Sequence, residues 1–235
     1  MLELTVAGMA VWNSPHANRP QPRLLPPNER RRAPDTVALA LEVAQAACAN
    51  AGRDPALLPT VFASTYGDLA ITDYMCGTLA KAPTTLSPTR FHNSVHNAAA
   101  GYWSIATGCQ QPYCALGAGQ YTFAAGLFAA ALQVCADETD VLLVAYDINA
   151  RGPLAWVAHS QGMLGVALVL GASHEPNPSR LQLTVTENVS EAGVPAANAM
   201  AACLPLIAAL EGRLDQVLSL PLGPESSLEV RVRHA

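Results

Sequence analysis

The sequence is poor in charge. Of its 235 residues only 13% are Asp, Glu, Lys or Arg, roughly half the share usual in a globular domain, while 51% are hydrophobic. So apolar a chain of this size is expected to bury surface against a partner. The net charge of -5 excludes general nucleic-acid binding, which needs a basic face to neutralise phosphates. There is one local exception. Arg19, Arg23, Arg30, Arg31 and Arg32 gather in a single Pro- and Asn-rich stretch, which reads either as a solvated loop or as a surface that meets an acidic partner.

Long hydrophobic runs are also missing. Gly, Pro and polar residues interrupt every apolar segment before the ~18 residues that a bilayer-spanning helix requires, so a soluble chain without a membrane span is expected. The start, Met-Leu-Glu-Leu-Thr-Val, has an acidic residue, no basic flank and no small-residue cleavage site. It reads as a first strand and not as a secretory signal. No C-x-x-C pair occurs: Cys48, Cys76, Cys109, Cys114, Cys135 and Cys203 are scattered, without the spacing or His neighbours of a zinc site. Most lie in apolar segments, where buried reduced thiols are the usual outcome. A cytoplasmic protein without metal or other cofactor is the simplest reading.

What is present is an alternation of strands and helices. Leu2 to Trp12 is β-like, and the residues after it form a loop. Asp35 reads as the N-cap of a helix to about Asn50, whose apolar face is Val37, Ala40, Leu41, Ala44, Ala47 and Cys48, closed by Gly52. A strand at Thr60 to Thr65, a helix at Ile71 to Ala82, an extended segment at Leu86 to Asn97 and a helix at Ala98 to Thr107 follow. Next come a strand from Tyr113 to Gly119, a helix from about Thr122 to Ala136 and a strand from Asp140 to Tyr146. After Asp147 lie an apolar segment at Met163 to Leu170 and an alternating strand at Leu181 to Glu187. A helix at about Ala196 to Glu211 is kinked or started by Pro205, and strands at Val217 to Leu222 and Leu228 to Val232 are joined by a Gly223-Pro-Glu-Ser hairpin turn. This pattern predicts one α/β layered domain with a mainly parallel, five-stranded sheet.

The stretch Tyr113-Cys-Ala-Leu-Gly-Ala-Gly-Gln120 presents Gln120 at a helix start. There, free N–H groups and the positive dipole end stabilise a thiolate or an oxyanion. A glutamine cannot serve as the nucleophile. Its plain reading is a helix-terminal amide that bonds backbone.

The strand, small-residue turn, helix and Asp140-Val-Leu-Leu-Val strand resemble the N-terminal half of a β-ketoacyl synthase. More specifically, Ser87-Pro-Thr-Arg-Phe-His-Asn-Ser-Val-His-Asn97 is similar to a motif of the short chain-length factors of that family, including those of aryl polyene pathways. The resemblance covers roughly Leu2 to Leu170. It implies a thiolase-like fold in which residues 1–175 form the ketosynthase-like half and residues 176–235 a truncated second half packed on the same domain. Counting back from Asp140 along a helix of the family's length places Gln120 where the nucleophilic cysteine stands. Chain-length factors of type II polyketide systems likewise carry glutamine there. The His-Gly-Thr and Asn-His-Phe type motifs of a full ketosynthase have no counterpart, since beyond Leu170 only His174 and His234 occur.

The resemblance therefore implies a non-catalytic subunit with a vestigial nucleophile position at Gln120. It would form a heterodimer with an active β-ketoacyl synthase, be served by an acyl carrier protein, and shape the acyl or polyene tunnel. The Tyr113 to Gly119 strand, with Tyr113, Ala115 and Leu116, is expected at the sheet edge and across the two-fold. Phe91, His92, Asn93, Val95, His96, Asn97 and Tyr102 are expected to flank the same interface. Tyr121, Phe123 and Phe128 read as core packing or as tunnel-lining groups. His92 and His96, four apart, invite a metal or acid-base reading, but no H-E-x-x-H accompanies them, and they read better as loop anchors. A reading of another class comes from Ala158-His-Ser-Gln-Gly162. It is close to the G-x-S-x-G elbow, with Ser160 as nucleophile of a hydrolase or thioesterase and Asp215 and His234 downstream.

Overall fold

A computed structural model describes residues 1–14, 19–150, 152–156, 158, 160–172, 179–187 and 197–234. His159 and His174 lie outside the described residues. The strands are β1 (Leu2–Ser14), β2 (Thr60–Ala63), β3 (Tyr113–Leu116), β4 (Val141–Ile148), β5 (Met163–Gly171), β6 (Ser179–Thr186), β7 (Gln216–Pro221) and β8 (Ser227–His234). The helices are α1 (Pro27–Arg32), α2 (Asp35–Ala51), α3 (Leu69–Lys81), α4 (Pro88–His92), α5 (Ala98–Thr107), α6 (Thr122–Asp137) and α7 (Leu204–Glu211).

All the strands join one sheet in the order β3-β2-β4-β5-β1-β6-β8-β7. The expected five-stranded, mainly parallel sheet is thus an eight-stranded mixed one. Only β3-β2 and β2-β4 are parallel, and both are linked through helices, as parallel neighbours require. From β4 to β5 the described residues offer only a short 3-10 turn at Gly152–Trp156. The chain therefore returns antiparallel, and β1 then fits antiparallel between β5 and β6.

Helices cover the sheet on two faces. Val61, Ala63, Leu143 and Ala145 face the core under α6, while Phe62, Leu142, Val144 and Tyr146 face the core under α2 and α5. Every residue of β4 is buried, which is why that strand reads as a continuous apolar run. In β1 a bulge falls between Val6 and Gly8. It restores the facing, so that Leu2, Leu4 and Val6 before it and Met9 and Val11 after it meet the same core. Gly8 has no room for a side chain: a Cβ there would lie 2.5 Å from the Ala51 N and 2.7 Å from the Ala47 O of α2.

Several elements refine the sequence reading. Pro34 holds the N-cap position of α2 and Asp35 is its first helical residue, paired with Arg19 at 2.6 Å. Gly52 closes α2 in the left-handed conformation. Within the segment expected to be extended, Ser87 caps α4 and Pro88 occupies its first turn, a favoured arrangement for starting a helix. The loop after β1 contains α1. Pro205 lies in the first turn of α7, marking its start. The β7–β8 hairpin closes through Leu222 N to Ser226 O at 3.0 Å. No described helix is long and apolar enough to cross a membrane, and all six cysteines are free thiols.

Candidate functional site

The carboxyl ends of β2, β3 and β4 meet around one turn. Beyond β2 the parallel pairing with β3 continues for one bond, Ser64 N to Leu116 O at 3.1 Å. Gly117 then passes so near that a Cβ would come within 2.9 Å of Ser64 O. Gly119 takes a left-handed φ of +58°, open to glycine at no steric cost. A 3-10 turn spans Gly119–Tyr121 and runs into α6. Gln120 sits in this turn, exposed to solvent, and its Nε2 donates to Tyr121 Oη at 2.8 Å. The expected strand from Tyr113 to Gly119 is therefore shorter, ending at Leu116, because the glycines bend the chain into the turn.

Buried polar groups hold the turn in place. The Thr122 hydroxyl accepts from Ala118 N at 2.9 Å and donates to Gly119 O at 2.7 Å, stapling both sides of Gln120. Thr65 Oγ1 donates to the same Gly119 carbonyl at 3.2 Å. Behind it, the fully buried Asp147 at the end of β4 accepts from Ser64 Oγ at 2.9 Å, Thr65 N at 2.8 Å and Tyr66 N at 3.2 Å. Burial pushes the Asp147 carboxyl above its ordinary range, while the bonds from Thr65, Ser64 and Tyr66 pull it back. Asn198 joins from the far end of the chain, donating to Asp147 O at 3.3 Å. Sequence reasoning assigned no role to Ser64, Thr122 or Asp147. A lone carboxylate ending an otherwise apolar, doubly buried strand is the signal that marks Asp147.

The motif residues divide among three places. His96 Nε2 donates to Ser64 O at 2.9 Å, joining the segment before α5 to the Gln120 turn, and Asn97 Nδ2 donates to Tyr113 Oη at 2.9 Å. His92 ends α4, so the two histidines share no helix face. Among the described residues no cluster of His, Cys, Asp or Glu is arranged to hold a metal. His92, Val95, Asn97 and Tyr102 line a groove of about 390 Å³ beside α5, whereas Asn93 is buried in a different cavity wall. β3 pairs only with β2 and forms the sheet edge. Tyr113 and Cys114 on it are exposed and Ala115 and Leu116 half-buried, and Phe91 and Val95 are exposed as well. Phe123 is 1% exposed and belongs to the core under α6; Phe128, half-buried, packs against the same core, and Tyr121 is half-buried.

Burial pushes the Cys48 and Cys203 thiols up to about 12, which makes them inert. Strand β7 of the closing hairpin lies beside the Gln120 turn. The elbow reading of Ser160 lacks its geometry. Strand β5 follows Ser160 instead of a helix, Ser160 is buried and accepts from Ala199 N at 3.3 Å, and Asp215 bonds the backbone N–H of His234 at 2.9 Å. The His234 ring is paired with Ser179 at 3.0 Å.

Comparison with known proteins agrees with this architecture. One solved structure with the same fold is the ketosynthase ApeO in complex with its chain length factor ApeC from Xenorhabdus doucetiae. It is 18% identical, with a TM-score of 0.78 over 98% of this chain and 100% of the matched one. Another is the AntDE:AntF complex of a type II polyketide acyl-carrier protein with its ketosynthase, 9% identical with a TM-score of 0.77 over 100% of both chains. The ishigamide ketosynthase/chain length factor is 18% identical with a TM-score of 0.60 over 92% of this chain and 74% of the matched one. No curated protein matches the sequence. The family model of the β-ketoacyl synthase N-terminal domain matches residues 8–217, reaching well past β5, and the chain belongs to that family.

Proposed function

We propose that this chain is a non-catalytic, chain-length-factor type subunit that pairs with an active β-ketoacyl synthase. The observation that carries this reading is Gln120. In a member of a family whose nucleophile is a cysteine, the strand-turn-helix junction is built in full, yet its exposed residue is a carboxamide that cannot form a thioester. The partner supplies the cysteine and histidines, and an acyl carrier protein delivers the growing chain. This assignment is in keeping with the ketosynthase complexes whose fold the chain shares.

In this reading β3 offers its free edge to the partner. Tyr113, Ala115 and Leu116 on the strand and Phe91, Val95, His96, Asn97 and Tyr102 beside it form the contact. An unpaired edge with exposed apolar side chains invites association, and pairing it removes that hazard. His92 and Asn93 complete the segment from which this surface is built. Tyr121 and Phe128 flank the acyl tunnel of an aryl polyene or related polyketide or fatty acid pathway, and the strands from Ser179 onward stand as the shortened second half. Six free thiols suit the cytoplasm.

Co-expression tests the assignment. A tagged chain is expected to co-purify with a ketosynthase of its native host, and that ketosynthase to change product length or activity when the chain is withheld. A stable monomer that brings down no ketosynthase, and whose absence leaves the products unaltered, sinks the reading.

A further inference from the structure

We propose that a basic cavity walled by α1, the start of α2, α3 and α4 binds a small molecule with a phosphate head and an uncharged body. The cavity is about 590 Å³, within the range of ordinary small-molecule sites, and lies apart from the Gln120 turn. It does not depend on the partner reading.

The charge of the cavity runs against that of the chain. The whole protein carries -5, yet Arg19, Arg31, Arg32 and Arg90 line this space against only Asp35 and Asp68. Asp35 is neutralised by an arginine, and Asp68, bonded to neutral donors, leaves one negative charge against the three remaining arginines. Arg19 binds Asp35 at 2.6 Å while also donating to the Arg30 and Ala33 carbonyls, which pins the α1–α2 junction. Asp68 accepts from Thr36 Oγ1 and Ile71 N, both at 2.9 Å. The other three arginines are not neutralised by any described carboxylate. Arg31 bonds the Asn28 side chain, and Arg90 lies 3.9 Å above the Tyr74 ring, which orients its guanidinium while leaving the N–H edges unpaired. Arg32 has neither a hydrogen bond nor an ion pair among the described residues.

The wall also bears on the body of the ligand. Asn93 is 5% exposed and lines the same cavity, but its Oδ1, without a partner among the described residues, is sealed inside the wall and out of a ligand's reach. Ala33, Ala70, Ile71 and Ile148 supply an apolar portion of the wall. Three guanidinium groups lining one space suit a phosphate better than a carboxylate, because a planar fork can take two oxygens of a group carrying up to two charges.

Isothermal titration of the full chain with phenyl phosphate at low ionic strength tests the site, with benzyl alcohol as the uncharged control. One saturable site is expected, weakened by added salt. Arg32→Gln and Arg90→Gln are each expected to weaken it by roughly tenfold to a hundredfold, the loss of one charge-assisted contact. Arg32 is exposed on a short helix, so the unfolding midpoint of that variant should match the wild type and separate a lost site from a lost fold. Absence of saturable binding, equal binding of benzyl alcohol, or binding unchanged in both variants overturns the proposal. If phenyl phosphate does not bind while both substitutions release an acidic protein partner, the arginines form a protein-docking surface and the small-molecule site is overturned.

Discussion

Asp147 is the most informative single residue to perturb, because it is the hub between the sheet and the Gln120 turn. It is fully buried and accepts three hydrogen bonds from one short loop, from Ser64 Oγ, Thr65 N and Tyr66 N. Replacing it with alanine strips the acceptor from all three donors at once. Each buried donor left without a partner costs about 1–3 kcal/mol. The desolvation penalty of the carboxylate disappears at the same time, and water can reach the half-buried Thr65 and Tyr66. A net loss of about 2–4 kcal/mol is expected for Asp147→Ala, a large fraction of the ~5–15 kcal/mol that holds a domain together. Asp147→Asn keeps the shape but turns an NH2 toward N–H and O–H donors, at a cost of about 1–3 kcal/mol.

The pH dependence separates this account from simple loss of packing. Burial raises the folded-state pKa of Asp147 above its ordinary 3.8, so the folded protein holds the proton more tightly than the unfolded chain does. The proton-linked part of the Asp147 contribution is therefore fully present below 3.8 and is lost as pH rises through the raised folded value, while the hydrogen bonds it accepts persist at neutral pH. Urea unfolding of wild type and Asp147→Asn, run from neutral pH down to about 4, should show wild type gaining on the variant as acid is added. Hydrogen exchange at the Thr65 and Tyr66 amides should accelerate in both variants. A stability difference that is flat with pH, or that shrinks on acidification, refutes the assignment of burial as the dominant influence. Unchanged exchange at those two amides refutes the role of Asp147 in holding the loop.

Four further substitutions test other parts of the structure. Gly8→Ala should destabilise by about 1–3 kcal/mol through overpacking, since its Cβ would strike the backbone of α2; chemical denaturation reads this directly, and a neutral result refutes the close approach. Phe123→Ala should cost about 3–5 kcal/mol because the side chain is buried in the core, so altered products from that variant would report a damaged fold. Phe128→Ala, at a half-buried position, is the usable probe of the tunnel, and unchanged product length in the complex counts against a tunnel role. Gln120→Cys should acquire no condensing activity in the isolated chain, measured by product formation from acyl and malonyl carrier protein, and measurable turnover would refute the assignment of catalysis to a partner.

What could be read from the sequence follows the range of the interactions involved. The α2 periodicity, its closing Gly52, the apolar runs of β4 and β5 and the Gly223-Pro hairpin are local signals, and each element appears where its residues place it. Sheet direction is not local. Nothing between Asp147 and Met163 distinguishes an antiparallel return from a crossover, and nothing in Leu2 to Trp12 says that β1 will settle between β5 and β6. Start signals misled in both directions. Asp35 has the chemistry of a cap but is drawn into an ion pair with Arg19, while Asp68, overlooked, caps α3 through Ile71 N. Ser87-Pro88, read as extended, begins α4.

The candidate site divides in the same way. Gln120 was legible because a strand, small residues and a helix leave one side chain at the junction, a pattern contained in about twenty consecutive residues. The groups that fix its position come from Ser64, Thr65, His96 and Asp147, brought together only by parallel pairing of β2 with β3 and β4. Those groups hold the shape of the turn without help from the Gln120 side chain. The Gly119 carbonyl is held by Thr65 and Thr122, and the loop bearing Thr65 is held by Asp147 and linked through the Ser64 carbonyl to His96, so none of the restraints passes through the side chain of residue 120. A substitution at Gln120 is therefore expected to leave the junction in place, whereas one at Asp147 loosens it. The persistence of this scaffold independently of residue 120 is what the proposed role as a partner subunit requires: His96 is anchored to the Ser64 carbonyl beside the turn and Asn97 to Tyr113 of β3, and neither bond involves a nucleophile.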